Sequence, residues 1–572
     1  MKKRKRGWAT WLLFTVIIIC FFSSGLFPVS VRADSTAAPV VSIKVNVGFN
    51  NTYKWDTIVP VRVTVTNQTD APINGNIELD MRTNHTFVGT YSKPLSLKKG
   101  ESKHVTFRVH AQFSYFKNNP SYVKWVQNGK TLVKHPMAPN NIPNDSIFVG
   151  ILANEAVTTH LLRTQPPEKA NAPSIHVQPL TLEDIPADTL RNSGLNALLI
   201  DKEEMARLNE QQKKTVKDWA AQGGQLFTVD QTSGKGLWET IGKKAENDTS
   251  SWNGTYMASQ LSDAATYMPE FKLPDVSLAA LLFAAYIIII GPVLFYIMKR
   301  RNAREWNWLF IPALSIIAAL ATYGYGKWQY GNKVHLQNVS LIEVNNDGSA
   351  DIRSGSAFFA PHSGDYSLRF PKGITVFPLK DRERGNPRSN TRILLQTDHT
   401  EAQFTNTAFW SLRQAFSEQH QEGIGTFAAA LTTQNNRITG TIRNHTNYAL
   451  RNVCIVYKDG VQTIPALAPG DSIQVNVPIR SVDTPRSFLK SDFAKALLPA
   501  SLDVEKRNYT RSPEARLIES IYHDIGEQGI YLIGWTDQHP LKNEVINESY
   551  QLSQLSVVKA KIGELKETGG VK

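Results

Sequence analysis

Three patterns of apolar and polar positions follow one another along the chain. Between residues 34 and 141 they alternate in short runs, VSIKVNVGF, IVPVRVTVTN, INGNIELDM and LKKGESKHVTFRVHA, separated by Asn, Asp, Gly and Pro. A period of two broken by turn formers predicts antiparallel strands, and about one hundred such residues predict an antiparallel β-sandwich over 34–141. From 146 to 260 the pattern changes. SIFVGILAN, SIHVQPL, NALLID and QLFTVD read as buried strands, with EAVTTHLLRTQ and LNEQQKKTVKDWAAQGG as helices between them. In the second helix Leu208, Val216, Trp219 and Ala220 form one apolar stripe with charges opposite, and Gly223-Gly224 closes it. Strands alternating with helices predict a small parallel α/β sheet. Residues 331–572 are β-patterned again, with a short helix expected near 513–524 and a Lys/Glu/Gly-rich tail from Lys559 expected to fray.

Two longer runs, Leu278–Met298 and Trp308–Tyr325, contain no charged residue and no polar face. Each is long enough to cross a hydrocarbon core of ~30 Å as a helix. The intervening residues 299–307 hold Lys299, Arg300, Arg301 and Arg304 against one acid, Glu305, so the positive-inside rule places this loop in the cytoplasm and both flanks outside. With no ionisable group inside either run, an ion or proton pathway through this chain alone is not expected. Gly291-Pro292 and Pro312 are expected to kink the helices, with Ser315 near enough to satisfy a freed carbonyl. At the amino terminus MKKRKRG, an apolar run from Trp8 to Pro28 and Val31-Arg32-Ala33 read as a signal peptide of residues 1–33. The length of the run leaves an uncleaved anchor as the alternative. The predicted fold class is thus a multidomain α+β membrane protein: sandwich, α/β domain, two-helix transmembrane hairpin and a β-rich carboxyl-terminal region.

One motif occurs on both sides of the hairpin. Thr66-Asn67-Gln68-Thr69-Asp70 is followed by Leu97-Lys98-Lys99-Gly100-Glu101-Ser102, and Arg443-Asn444-His445-Thr446-Asn447 by Leu467-Ala468-Pro469-Gly470-Asp471-Ser472. Both pairs resemble the N-x-[TS] and L-x-x-G-[ED]-S turns of bacterial Ig-like surface domains, and imply a second, related sandwich within residues 331–572. Turn geometry accounts for their Asn and Gly residues.

Charge and cysteine content narrow the function. Lys and Arg number 63 against 50 Asp and Glu, but six of the basic residues lie in the first 33, so the remaining excess is mild and nucleic acid is not an expected partner. Cys20 and Cys454 are the only cysteines, which excludes a disulfide framework, a Cys-rich zinc site and an iron–sulfur cluster. Cys454, in the strand VCIVY, is expected to be a small buried apolar residue. G-x-S-x-G, H-E-x-x-H and G-x-x-x-x-G-K-[ST] are absent, and His160 and His176 lack ligand spacing. No catalytic, metal or cofactor-binding residue is therefore expected. Ligands of parallel α/β sheets gather at the carboxyl ends of the strands, so Asn154, Glu155, Asp201, Lys202 and Asp230 form the candidate ligand or partner face.

The α/β stretch resembles the class I glutamine-amidotransferase-like fold in an aliphatic strand ending in Asp and the residues after it: Ile200-Asp201, Leu208, Gln212, Val216, Trp219, Gly223, Gly224 and Leu226. With GPVLFYIMKRRNAREWNWLFIPALS following, most of the chain is similar to a group of uncharacterised envelope membrane proteins of Gram-positive bacteria. That resemblance implies an exterior amidotransferase-like domain on a membrane hairpin with β-rich flanks. Glutamine hydrolysis in that fold needs a nucleophilic Cys, and none lies between Cys20 and Cys454, so the implied domain is non-catalytic. The expected role is to bind or scaffold a partner at the outer face of the plasma membrane: another membrane or envelope protein, or cell-wall polymer, with membrane lipid around the hairpin. The alternatives are an envelope hydrolase using carboxylates such as Glu155 and Asp201, and a sensor signalling through the hairpin.

Overall fold

The structure is a computed structural model describing residues 39–564 other than 84–85, 114–119, 167–172, 222, 248–253, 269–275, 302–303, 380–389, 435–436, 458–459, 479–494, 499–511, 524 and 526–528. The expected signal peptide and most of the charged stretch 380–390 lie outside the described residues.

Alternation along Ile58–Asn67 buries Val61, Val63 and Val65 on one face, and the strand pairs antiparallel with Val41–Val47 on one side and Ser102–His110 on the other. Opposite this sheet run Ile73–Thr83, Thr86–Leu97, Tyr122–Gln127 and Lys130–Pro136. Ile77, Leu79, Tyr91, Phe107 and Trp125 close the core between them, each large apolar side chain contributing about 1.5–3 kcal/mol by leaving water. After the apolar helices the arrangement recurs. Arg437–Asn444 lies between Phe427–Gln434 and Ser472–Pro478, facing Arg451–Tyr457, Gly460–Ile464 and Gly529–Thr536 across Ile438, Ile442, Val453, Ile455, Val475 and Leu532.

Neither unit stands alone. Thr86–Leu97 pairs in parallel with Asn390–Leu395 through Arg392 opposite Thr90. The facing sheet of the first unit thereby grows to eight strands by recruiting Asn390–Leu395, His399–Thr407, Gly364–Pro371 and Glu544–Val545. The sandwich thus shares its sheet with strands some 300 positions later in the chain. A second eight-stranded sheet is ordered Thr375–Pro378, Ser411–Gln421, Ala350–Ala360, Val334–Val344, Tyr550–Glu564, Gly529–Thr536, Arg451–Tyr457 and Gly460–Ile464. The expectation that the chain frays from Lys559 is corrected here. Residues 559–564 complete an interior strand, and Lys559 is 2% exposed because Glu343 faces it.

The α/β portion has four parallel strands in the order Ile175–Pro179, Ile147–Leu152, Ala197–Ile200 and Gln225–Thr228. Every residue of the two central strands is buried, as a parallel sheet covered on both faces requires. The helices Glu155–Thr164 and Lys235–Asn247 cover one face through Val157, Leu161, Trp238 and Ile241, and Glu210–Ala221 covers the other through Val216 and Trp219. A Cβ on Gly224 would lie 2.3 Å from the Trp219 indole, so that turn admits no side chain. The next helix, Gly254–Thr266, begins inside the expected 146–260 domain but packs elsewhere. Its residues Ala258, Leu261, Ala264 and Ala265 lie on the second large sheet, where a Cβ at Gly355 would come within 2.3 Å of the Leu261 carbonyl oxygen.

Two apolar helical segments follow. Val276–Ile288 passes through a π turn at Ile289–Val293, which contains Pro292, into Leu294–Arg300; Asn307–Tyr330 is a single helix. The stretches Ala280–Arg300 and Asn307–Lys327 have mean hydropathies of 2.5 and 1.6, are 6% buried, and are long and apolar enough to cross a membrane. Tyr286 and Ser315 hydrogen-bond between them at 2.7 Å, and Ser315 Oγ donates to the Ile311 carbonyl. The second helix passes through Gly331, in the left-handed region at φ +70°, directly into Val334–Val344.

Candidate functional site

The strand-end residues of the α/β sheet are held by its own backbone. Asp201 is 5% exposed; its Oδ1 accepts from Glu204 N and caps the helix Lys202–Arg207, while its Oδ2 accepts from Asn154 N at 2.8 Å. Asn154 in turn caps Glu155–Thr164 by accepting from Val157 N. Asp230 shapes the exposed turn after the last strand, where the Thr232 hydroxyl and amide hold its carboxyl below the usual range. The sheet thus brings Asn154 and Asp201 together, whereas Glu155 and Lys202 remain exposed on the first turns of separate helices. Glu155 joins Ala156, Thr159, His160 and Arg163 around an open surface depression, and His160 Nε2 is 2.9 Å from the Ser233 carbonyl oxygen. Both Asp201 oxygens are occupied as caps, so it is poorly placed as the nucleophile or base of a carboxylate pair.

A denser assembly of charge lies where the α/β portion meets the β-body. Lys559, Glu343, Asp351 and His420 stand opposite one another on four adjacent strands of the second large sheet; two residues along, Arg353 stands opposite Glu418. Lys559 and Arg353 reach Glu343 at 2.9 and 3.2 Å, and His420 Nδ1 lies 2.9 Å from Asp351. Arg191, from the loop before Ala197–Ile200, pairs with Asp351. Burial alone would raise the Glu343 carboxyl, but Lys559, Arg353 and Arg191 outweigh it and hold it below the ordinary range. At Glu418 burial prevails over the nearby arginines and the carboxyl is raised. Glu343 and Asp351 are neighbouring like charges on paired strands, and Lys559, Arg353 and Arg191 offset their repulsion. Two further ion pairs fasten the same portion to the first sandwich, Arg62 with Asp184 at 3.5 Å and Arg108 with Asp188 at 3.1 Å. Asp184 is 1% exposed, and its carboxylate also accepts from Asn50 N, Thr181 N and Thr181 Oγ1.

At this junction Arg191 carries a positive charge of the α/β portion onto Asp351 of the sheet, beside the Glu343 carboxylate that Lys559 and Arg353 hold. Sequence reasoning missed it, although a signal was present: Glu343 follows Leu341-Ile342, Asp351 and Arg353 flank Ile352, and Lys559 follows Val557-Val558. Such residues seldom lie buried unless paired. Cys454 is fully buried, and burial pushes its thiol up, away from the thiolate. Among the described residues no cluster of three or more His, Cys, Asp or Glu could hold a metal ion. At the far end of the apolar pair, Lys299, Arg300 and Arg301 are exposed, and Arg304 opens the 3-10 turn Arg304–Trp306.

The two sandwich units are also the stretches with known counterparts. Residues 40–139 match a family model described as Domain of unknown function (DUF8726), and residues 426–564 match one described as Domain of unknown function (DUF8725). No curated protein matches the chain. Among solved structures it is similar to the yeast delta-COP-I mu-homology domain complexed with a Dsl1 WxWxV peptide, with 7% identity, 41% of this chain and 98% of that chain covered, and a TM-score of 0.22. A beta-glucosidase from Listeria innocua in complex with gluconolactone is 14% identical, with 21% and 20% of the two chains covered and a TM-score of 0.12. A beta-glucuronidase from glycoside hydrolase family 2 is 8% identical, with 89% and 62% covered and a TM-score of 0.18. Likenesses this weak carry no argument about activity.

Proposed function

We propose that this chain is a non-catalytic, membrane-anchored envelope protein that holds a rigid composite surface at the outer face of a bacterial plasma membrane and scaffolds a partner there. The observation that carries the reading is the attachment of the two apolar helices. The helix Gly254–Thr266, just before the first, is clamped on the strand Ala350–Ala360, and the second continues into Val334–Val344 of the same sheet. A second apolar helix joined to the sheet through only three residues sets the height of everything built on that sheet, which suits a presenting platform. The basic residues Lys299, Arg300, Arg301 and Arg304 serve as the cytoplasmic anchor. The α/β portion, amidotransferase-like in sequence but without the nucleophile, supplies a docking face through its exposed helix starts, including Glu155 and Lys202.

Two measurements on the full-length protein in cells test this. A membrane-impermeant maleimide is expected to label Leu132→Cys in intact cells and Arg301→Cys only after permeabilisation; the reverse pattern, or equal labelling, removes the orientation. Photo-crosslinking residues at Glu155 and Lys202 are expected to capture one and the same membrane or envelope protein. Crosslinks to wall fragments or lipid alone would overturn the protein-scaffold reading.

A further inference from the structure

Beside the outer end of the second apolar helix, the β-body carries a turn that is apolar without being buried. Between His399–Thr407 and Ser411–Gln421, residues 408–410 connect two strands, with Trp410 in the left-handed region at φ +55°. The indole lies directly over Gly326: a Cβ there would be 2.0 Å from Trp410 Cη2, so only glycine admits this contact. Phe409 stacks on Tyr323 with centroids 6.0 Å apart and lies tilted against Trp410 at 4.6 Å. Phe409 is nevertheless 40% exposed and Leu412 39%.

We infer that this turn, with Phe409 and Leu412 as its tips, is a third membrane-contacting element inserted into the outer leaflet against the second helix; the inference rests on the membrane reading above. Three observations support it. Tyr323 lies four residues inside the end of the apolar stretch Asn307–Lys327, which at 1.5 Å per residue is about 6 Å below its outer edge, so the side chain stacked on it shares that depth. The ten residues from Gln403 to Leu412 contain no charge, so entry into lipid requires no ion to be desolvated. Two polar groups of the turn are bonded within it or to the sheet: Trp410 N donates to the Ala360 carbonyl at 3.0 Å and Ser411 Oγ to the Ala408 carbonyl at 2.8 Å. An uncharged apolar tip with aromatic flanks suits the outer interface of the membrane, where aromatic side chains gather. The occupant of this surface is therefore lipid acyl chain and not protein.

The test uses full-length protein with Cys20→Ser, reconstituted into phosphatidylcholine/phosphatidylglycerol vesicles with and without brominated acyl chains. Buried Cys454 stays unlabelled, and single cysteines at Phe409, Leu412, Ile317 and Leu132 carry an environment-sensitive fluorophore. The expected result is a blue-shifted emission and a bromolipid-dependent loss at 409 and 412 approaching that at 317, with no loss at 132. Loss at 317 but none at 409 or 412 would overturn the inference and leave the membrane reading intact. No loss at 317 would overturn both. Gly326→Ala is expected to lift the indole and reduce quenching at 409 without changing it at 317; unchanged quenching at 409 would show that the turn does not depend on this helix, against the inference.

Discussion

In the unit of residues 41–136, the Asn67 side chain donates to the carbonyls of Ala71, Leu97 and Lys98 and accepts from Thr69 N and Oγ1. In the unit that begins at Phe427, Asn444 donates to the carbonyls of Tyr448 and Leu467 and accepts from Thr446 N and Oγ1. Each Asn ends the middle strand of a three-stranded sheet, each donates its own amide to the acidic residue of the second motif, Glu101 or Asp471, and each acid turns back onto an amide of its own loop. The two units share the same Asn pin. They differ in how they enter the larger sheets. The first extends from its hairpin strand Thr86–Leu97, and the second from the opposite side, where Gly529–Thr536 pairs with Tyr550–Glu564. Thr86–Leu97 pairs onward with Asn390–Leu395 over three residues, whereas its counterpart Gly460–Ile464 ends its sheet. The same local motif thus recurs with its internal hydrogen bonds while the attachment of the unit to the larger sheets differs.

The comparison can be broken most severely at the sheet on which both units rest. Glu343→Gln removes the carboxylate facing the nearly fully buried Lys559 and is expected to destabilise the whole β-body by about 3 kcal/mol. Hydrogen-exchange protection should then fall in both units; loss confined to one would show that they do not share this support. Asn444→Ala leaves two buried carbonyls without their donor and is expected to cost about 2 kcal/mol, and Asn67→Ala should come close to it. Urea midpoints of the two variants test the equivalence of the pins, and a difference well beyond that range would end it.

Acid should separate the units. His110, on the first unit, stacks on Phe377 of the second large sheet at 4.4 Å, and burial pulls its pKa down to about 3. The unfolded chain takes up a proton below about 6.5, so stability is fully present above that pH and falls by about 1.4 kcal/mol per unit as pH drops toward 3. His110→Phe is expected to flatten that slope in urea titrations at stepped pH, with the first unit gaining most. The smallest effect sharpens the attachment itself. Arg392, part-exposed, bonds Glu78 and Ser92 across the parallel seam, and Arg392→Met should cost about 1 kcal/mol. Its readout is faster proteolysis near Thr86–Leu97 with residues 427–564 unaffected.

The local chemistry of the chain was legible because it depends on near neighbours. Period-two alternation located the strands of both units, the Asn and Gly turns marked their pins, the apolar runs near 278–298 and 308–325 became the two long apolar helices, and alternating elements after residue 146 formed a parallel sheet. The candidate face was legible in position but not in use: Asn154 and Asp201 do come together, yet the amides of Glu204, Val157 and Asn154 occupy them. Tertiary structure alone decided that Asn390–Leu395 joins a strand three hundred residues earlier, that residues 559–564 lie inside a sheet, that Gly254–Thr266 belongs to the β-body, and that Arg191 meets Asp351. The physical reason is shared by all four. Strand pairing and ion pairing are settled by which edges and charges remain unsatisfied once local units have formed, and that information is distributed over segments too far apart in sequence for any periodicity to carry it.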